Sequence, residues 1–163
     1  MAHRSGFVNI LGNPNVGKST IMNALVGEKL SIISPKAQST RHRIMGIVNG
    51  EDFQIVYSDT PGILKPKYEL QQSMMGFVNV ALSDADIILY VTDVTEKSAD
   101  QGEYISKIRE SGIPVIIAVN KIDLTNQEQL EKIVGDWHGI FPASPVIPMS
   151  ALMNFNLQAL LNA

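Results

Sequence analysis

The sequence contains no cysteine. Disulfides and thiolate metal sites are therefore excluded, which suits a reducing compartment. It also lacks a long apolar run. The longest, Ile113 to Val119 (IPVIIAV), falls well short of the roughly 18 residues that a membrane-crossing helix needs. The opening residues, MAHRSG, have no apolar core of the kind a secretory signal carries. A cytoplasmic location is the expectation. No charge of one sign dominates. A net charge of −3 exerts no general pull toward nucleic acid or an anionic membrane. His3, His42 and His138 have no partner at ligand spacing. What is present is ordinary for a folded domain: 163 residues, 45% of them apolar, enough for one sizeable core.

Short β-branched runs alternate with amphipathic stretches. Phe7 to Leu11 reads as a strand, and Lys18 to Gly27 as a helix that ends at its glycine. Arg43 to Thr60 reads as a hairpin with Asn49-Gly50 as its turn. Glu69 to Ala85 suggests a helix and Asp86 to Val94 a buried strand. A helix closed by Gly112 follows, then a buried strand from Pro114 to Lys121. Asn126 to Ile140 suggests a helix, Ser144 to Ala151 a strand, and Asn156 to Ala163 the start of another helix. Near-continuous apolar strands separated by helices predict an α/β fold with a mostly parallel sheet covered on both faces. The count is six strands, and the hairpin makes one of them antiparallel. Trp137 and the pair Met74-Met75 are expected to pack core. Ligands in such folds bind beyond the carboxyl ends of the strands.

Four motifs sit at those ends. The first strand runs into GNPNVGKST, Gly12 to Thr20, which matches G-x-x-x-x-G-K-[ST] through Gly12, Gly17, Lys18 and Ser19. Backbone N–H groups and a helix start would face phosphate, and glycine permits the close approach. Lys18 would reach the β and γ phosphates, and the Ser19 hydroxyl would ligate Mg²⁺. The hairpin ends in DTPG, Asp59 to Gly62. There a carboxylate can hold Mg²⁺ through a water, and the Gly62 N–H can face the γ phosphate. The same tetrapeptide is also a good turn. The fifth strand ends in NKID, Asn120 to Asp123. The Asp123 carboxylate can accept two N–H bonds from a guanine edge, which adenine does not offer. Asn120 would meet the base's acceptor edge and brace the loop, and the Lys121 stem would cross the base plane. The last strand ends in MSAL, where Ser150 and Ala151 would offer N–H groups to the guanine oxygen.

One stretch fits no period: SPKAQSTRHR, Ser34 to Arg43. Together with GNPNVGKSTIMNAL and SDTPGILKPKYEL, it resembles the Era-type family of bacterial P-loop GTPases over essentially the whole chain. That family usually has a second threonine where Ser39 stands. The resemblance implies a Ras-like G domain that hydrolyses GTP as a switch. It makes Ser34 to Arg43 the first switch loop, with Thr40 as its Mg²⁺ ligand beside Ser19 and Asp59. The implied nucleotide contacts are Gly12, Asn13, Pro14, Asn15, Val16, Gly17, Lys18, Ser19 and Thr20 in the phosphate loop. They continue with Asp59, Thr60, Pro61, Gly62 and Ile63, then Asn120, Lys121, Ile122 and Asp123, then Ser150, Ala151 and Leu152. Lys18, Thr40 and Asn15 are the expected catalytic group.

Ile63 stands where Ras-like GTPases place a water-orienting glutamine, and its side chain forms no hydrogen bond. Either a partner group or a K⁺ ion near Asn15, where potassium-stimulated relatives hold asparagine, would supply the missing charge. Small-subunit ribosomal RNA and the ribosome would be reached through a C-terminal KH domain. No G-x-x-G occurs after Leu124, so the chain is expected to be the G domain of a longer protein, monomeric and a poor RNA binder alone. The full protein would contact the inner membrane peripherally. Lys36, Arg41, His42 and Arg43 read as a solvated switch surface or as contacts to phosphate or RNA. Three readings stay open beside this one. They are a GTPase of the tRNA-modifying or tandem branch, a nucleotide-dependent switch with negligible hydrolysis, and an adenylate-using P-loop protein.

Overall fold

The computed structural model describes residues 3–27, 44–61, 75–76, 79–80, 82–96 and 102–163. Chain order gives β1 (Arg4–Gly12), α1 (Lys18–Val26), β2 (Ile44–Asn49), β3 (Phe53–Asp59), β4 (Ile87–Asp93) and α2 (Gly102–Glu110). Then come β5 (Val115–Asn120), a 3₁₀ turn (Ile122–Leu124), α3 (Gln127–Ile140), β6 (Val146–Pro148) and α4 (Leu157–Asn162). The six strands form one sheet in the order β2-β3-β1-β4-β5-β6. Only β2 runs antiparallel to its neighbour. This is the α/β architecture that the alternation of segments predicts.

Side-chain alternation divides the core into two layers. On β4, Ile88 and Tyr90 face one layer, and Leu89 and Val91 the other; on β5, Ile117 and Val119 oppose Ala118. Met75, Ile105 and Ile108 of the helical segments close the first layer, with Trp137 and Phe141. There Trp137 lies 5.4 Å from the Tyr90 ring and 6.4 Å from Phe141. Ile21 and Met22 of α1 close the second layer with Leu160 of α4. Trp137 and Met75 are thus core residues, as expected. Met74 lies outside the described residues.

Two local expectations need correction. The hairpin turn is not centred on Asn49-Gly50. Asn49 still pairs with Gln54, and residues 50–52 make the connection, closed by the Gly50 N–H to the Phe53 carbonyl at 2.8 Å. The Phe53 ring lies over Gly50: a Cβ there would lie 2.1 Å from a ring carbon, so a larger residue would have to turn the ring aside. The last strand is only Val146–Pro148. Beyond it the Met149 N–H still donates to the Val119 carbonyl at 2.8 Å, and the chain then turns back at Ser150 to bridge Phe155. The helix expected to close at Gly112 does end there: α2 runs to Glu110, and the left-handed Gly112 (φ 72°) follows its cap residue Ser111. Among the described residues, no helix is long and apolar enough to cross a membrane.

Candidate nucleotide site

Parallel strands place their carboxyl ends on one edge, and register fixes what meets there. Ile10 is opposite Asp59, Gly12 opposite Val91, and Asp93 opposite Asn120. Lys18, Asp59, Thr60, Thr92, Asp93, Asn120 and Ser150 are all buried on this edge. Such a concentration of buried polar groups is costly unless each is hydrogen-bonded or serves a ligand. At the opposite end of the sheet, the cleft beside Phe7, Val8, Phe53, Ile55 and Ile87 is almost wholly apolar.

The phosphate loop is tightly held. A Cβ on Gly12 would lie 2.3 Å from the Val91 carbonyl oxygen, and one on Gly17 would lie 2.2 Å from Asn120 Nδ2. Gly17 (φ 101°) and Asn15 (φ 65°) adopt left-handed backbone, so the loop curls before α1 begins at Lys18. Lys18 Nζ donates to the Asn13 carbonyl at 2.9 Å. Burial lowers the Lys18 pKa from 10.5 to about 8, while Asp59 and Glu96 pull it back upward. Val16 is buried in the second core layer, and Pro14 and Thr20 are half-buried along the same loop.

Ser19 Oγ donates to Asp59 Oδ2 at 2.5 Å, and Asp59 is fully buried. Thr60 Oγ1 donates to the Ile10 carbonyl at 2.7 Å and staples the end of β3 to β1. Pro61 is buried beside it. Thr40, Gly62 and Ile63 lie outside the described residues, as do Lys36, Arg41, His42 and Arg43. A hydroxyl and a carboxylate side by side are hard oxygen donors suited to Mg²⁺, which keeps waters and phosphate oxygens as its remaining ligands. The charge balance agrees. Lys18 and Lys121 face Asp59, Asp93, Glu96 and Asp123 here, so a polyphosphate would need an added cation. The residues present therefore fit the ion.

Asn120 joins the two halves of the edge. Its Nδ2 donates to the Val16 carbonyl at 2.9 Å, and its Oδ1 accepts the Ala151 N–H at 3.0 Å. Left-handed Lys121 (φ 62°) then turns the chain. Its Nζ donates to the Asn15 carbonyl at 2.5 Å and pairs with Asp93 Oδ2 at 2.9 Å. The Ile122 N–H reaches the Met149 carbonyl at 3.2 Å. Asp123 is exposed, and its Oδ1 accepts the Ser150 hydroxyl at 2.8 Å. The Ser150 N–H donates to the Phe155 carbonyl at 3.2 Å, so the amides of both Ser150 and Ala151 are engaged within the protein. Leu152 is 77% exposed.

Sequence reasoning missed Thr92, Asp93 and Glu96. Asp93 Oδ1 accepts from the Thr95 N–H and hydroxyl at 2.8 and 2.6 Å. Burial alone would raise the Asp93 pKa; hydrogen bonds from Thr95 and Lys121 outweigh it and lower the value. Glu96 accepts from Thr92 Oγ1 at 2.5 Å and from Asn13 Nδ2 at 2.9 Å. Its pKa is raised, chiefly by burial, against the pull of those bonds. The available signal was positional: TDVTE ends β4 beside the other strand-end motifs.

The comparisons agree with this geometry. A family model described as 50S ribosome-binding GTPase matches residues 7–121. GTPase Era of Alkaliphilus metalliredigens is 40% identical over 162 residues, covering 99% of this chain and 55% of that protein. The crystal structure of an Aquifex aeolicus Era variant bound to GDP and AlF₄⁻ is similar, with a TM-score of 0.90, 40% identity and coverage of 97% of this chain and 55% of that one. So is Era in complex with MgGDPNP and nucleotides 1506–1542 of 16S ribosomal RNA, with a TM-score of 0.91, 40% identity and coverage of 98% and 55%. The chain spans about half the length of these relatives. Because the matched span holds the phosphate loop, Asp59 and the Asn120 brace, this chain belongs to the 50S ribosome-binding GTPase family.

Proposed function

We propose that this chain is the G domain of an Era-type protein, binding GTP and hydrolysing it to GDP and phosphate. One observation carries the reading. Asn120 locks the phosphate loop, through Val16, to the loop after β6, through Ala151. A phosphate cradle and a base-reading carboxylate, Asp123, are thereby held on one edge. Phosphoryl transfer needs positioning and charge neutralisation more than covalent chemistry. Lys18 and the N–H groups from Gly17 to Thr20 would face the phosphates. Asp123 would read guanine, and the Lys121 stem would flank the base. Ser19 and Asp59, the latter through a water, would hold Mg²⁺ together with Thr40, and the bound ion would neutralise charge on the β and γ phosphates. Ile63 offers no group to orient water, so intrinsic turnover should be slow, of order 10⁻⁴ to 10⁻² s⁻¹ as in unassisted GTPases. With a K⁺ ion near Asn15 supplying positive charge, turnover in KCl should exceed turnover in NaCl. Equal rates would remove the ion from the mechanism.

The test is titration calorimetry with GDP, ADP and XDP, followed by single-turnover phosphate release with GTP. Binding of GDP alone, with slow release, is the expected result. Equal affinity for ADP would overturn the base assignment. Binding without release would leave a nucleotide switch rather than an enzyme. For the whole protein, we infer a KH domain beyond this chain that contacts small-subunit ribosomal RNA. The relative seen with 16S ribosomal RNA supports this inference. The inference extends to a cytoplasmic monomer that touches the inner membrane peripherally. Gel-shift assays with a 16S 3′ fragment should show binding by the full-length protein and little by this chain.

A further inference from the structure

The turn after β4 grips the phosphate loop at two points. One grip runs from Asp93 through Lys121 to the Asn15 carbonyl. The other is Glu96. Its carboxylate spans Thr92 Oγ1 at 2.5 Å and Asn13 Nδ2 at 2.9 Å. The Asn13 carbonyl in turn holds Lys18 Nζ at 2.9 Å. Glu96 is itself fixed, because its N–H donates to Asp93 Oδ1 at 3.1 Å. We propose that Glu96 is a positioning residue for phosphate transfer, holding Lys18 in place through Asn13.

A half-buried carboxylate is an odd choice beside a polyphosphate site. Its charge opposes the incoming phosphates, so it does not serve affinity. Its two-sided hydrogen bonding is what the site gains. A loose phosphate loop would let Lys18 drift, and small misplacements are expensive in the transition state. Glutamine can reproduce the geometry, with Oε1 accepting from Asn13 and Nε2 donating to Thr92. Alanine cannot. The proposal rests on the GTPase reading, and its test separates the two.

The experiment compares the 163-residue chain with Glu96→Ala, Glu96→Gln, Asn13→Ala and the Glu96→Ala/Asn13→Ala double variant. Single-turnover GTP hydrolysis, GDP affinity and amide hydrogen exchange of residues 13–19 without nucleotide are measured on each. Glu96→Ala should lower the hydrolysis rate about tenfold while GDP affinity holds or rises. Glu96→Gln should restore the rate to within about twofold and bind GDP more tightly, having lost the opposing charge. The double variant should be no slower than Asn13→Ala, because both act on one contact. Protection of the loop amides should fall in Glu96→Ala and return in Glu96→Gln. The exchange readout holds even if the wild-type chain hydrolyses nothing, an outcome that would sink the GTPase reading alone. Additive effects in the double variant, or a Glu96→Gln chain as slow and as unprotected as Glu96→Ala, would overturn the positioning role.

Discussion

The phosphate half and the base half of the site are built differently. The phosphate half is buried and bonded to itself: Lys18 is 6% exposed and Asp59 fully buried. The base half lies open, with Asp123 exposed and Leu124 and Leu152 at 63% and 77%. Desolvated charge binds strongly and without regard to the base. An exposed carboxylate adds less energy but sorts one base from another. The division teaches where affinity and selectivity should separate under mutation.

The largest effect should come from the buried half. Lys18→Ala removes charge-assisted bonds to phosphate worth about 3–4 kcal/mol, a loss of roughly 10²- to 10³-fold in affinity. The loss should be the same for GDP and for any analogue altered only in the base. A base-dependent loss, read by calorimetry, would break the division. Asp123→Asn should come next. It replaces an acceptor by a mixed donor and acceptor, so GDP affinity should fall about 10²-fold and XDP affinity rise. The melting temperature should barely move, because Asp123 is exposed. Unchanged preference for GDP would remove Asp123 from base recognition.

Asn120→Ala should weaken both halves together. It strips the partner from the buried Val16 carbonyl and from the Ala151 N–H. Two such losses cost about 2–4 kcal/mol, or roughly 5–15 °C in melting temperature for a domain of this size. GDP affinity should fall about tenfold as the loops separate. Loss of affinity with full stability would mean that Asn120 contacts the base without acting as a brace.

The same contrast explains what the sequence made legible. Strand ends β1, β3 and β5 were readable because glycine, proline and asparagine mark them. The two-layer core was readable from the continuous apolar runs of β4 and β5. The brace at Asn120 was partly foreseen, yet its partner Val16 lies 104 residues away in sequence. The Asp93–Glu96 turn was not foreseen. It carries no glycine signature, and its meaning depends on Asn13, 83 positions earlier. The short β6 and the shifted hairpin turn were missed for a local reason. The chain turns back after Met149 to pair Ser150 with Phe155, and the Gly50 N–H still donates to the Phe53 carbonyl, so the turn falls after Gly50.

The smallest effect is a pH dependence confined to the buried half. Burial holds Lys18 near a pKa of about 8, below its ordinary 10.5. In the free protein, raising the pH through 8 therefore removes its charge. Bound phosphates favour the charged form and pull the pKa back up, so binding above pH 8 takes up a proton. Nucleotide affinity should be flat below about pH 7 and fall as pH rises, by about fourfold at pH 8.5. Without nucleotide the sign reverses: a lysine with a depressed pKa penalises the fold while charged. Stability should rise as the pH climbs from about 8 toward 10.5. Calorimetry of GDP binding at pH 7.0 and 8.5 checks the first sign. The slope should survive in Asp123→Asn and flatten in Lys18→Ala. A slope that follows Asp123 instead would place the titrating group on the base side and dissolve the division between the two halves.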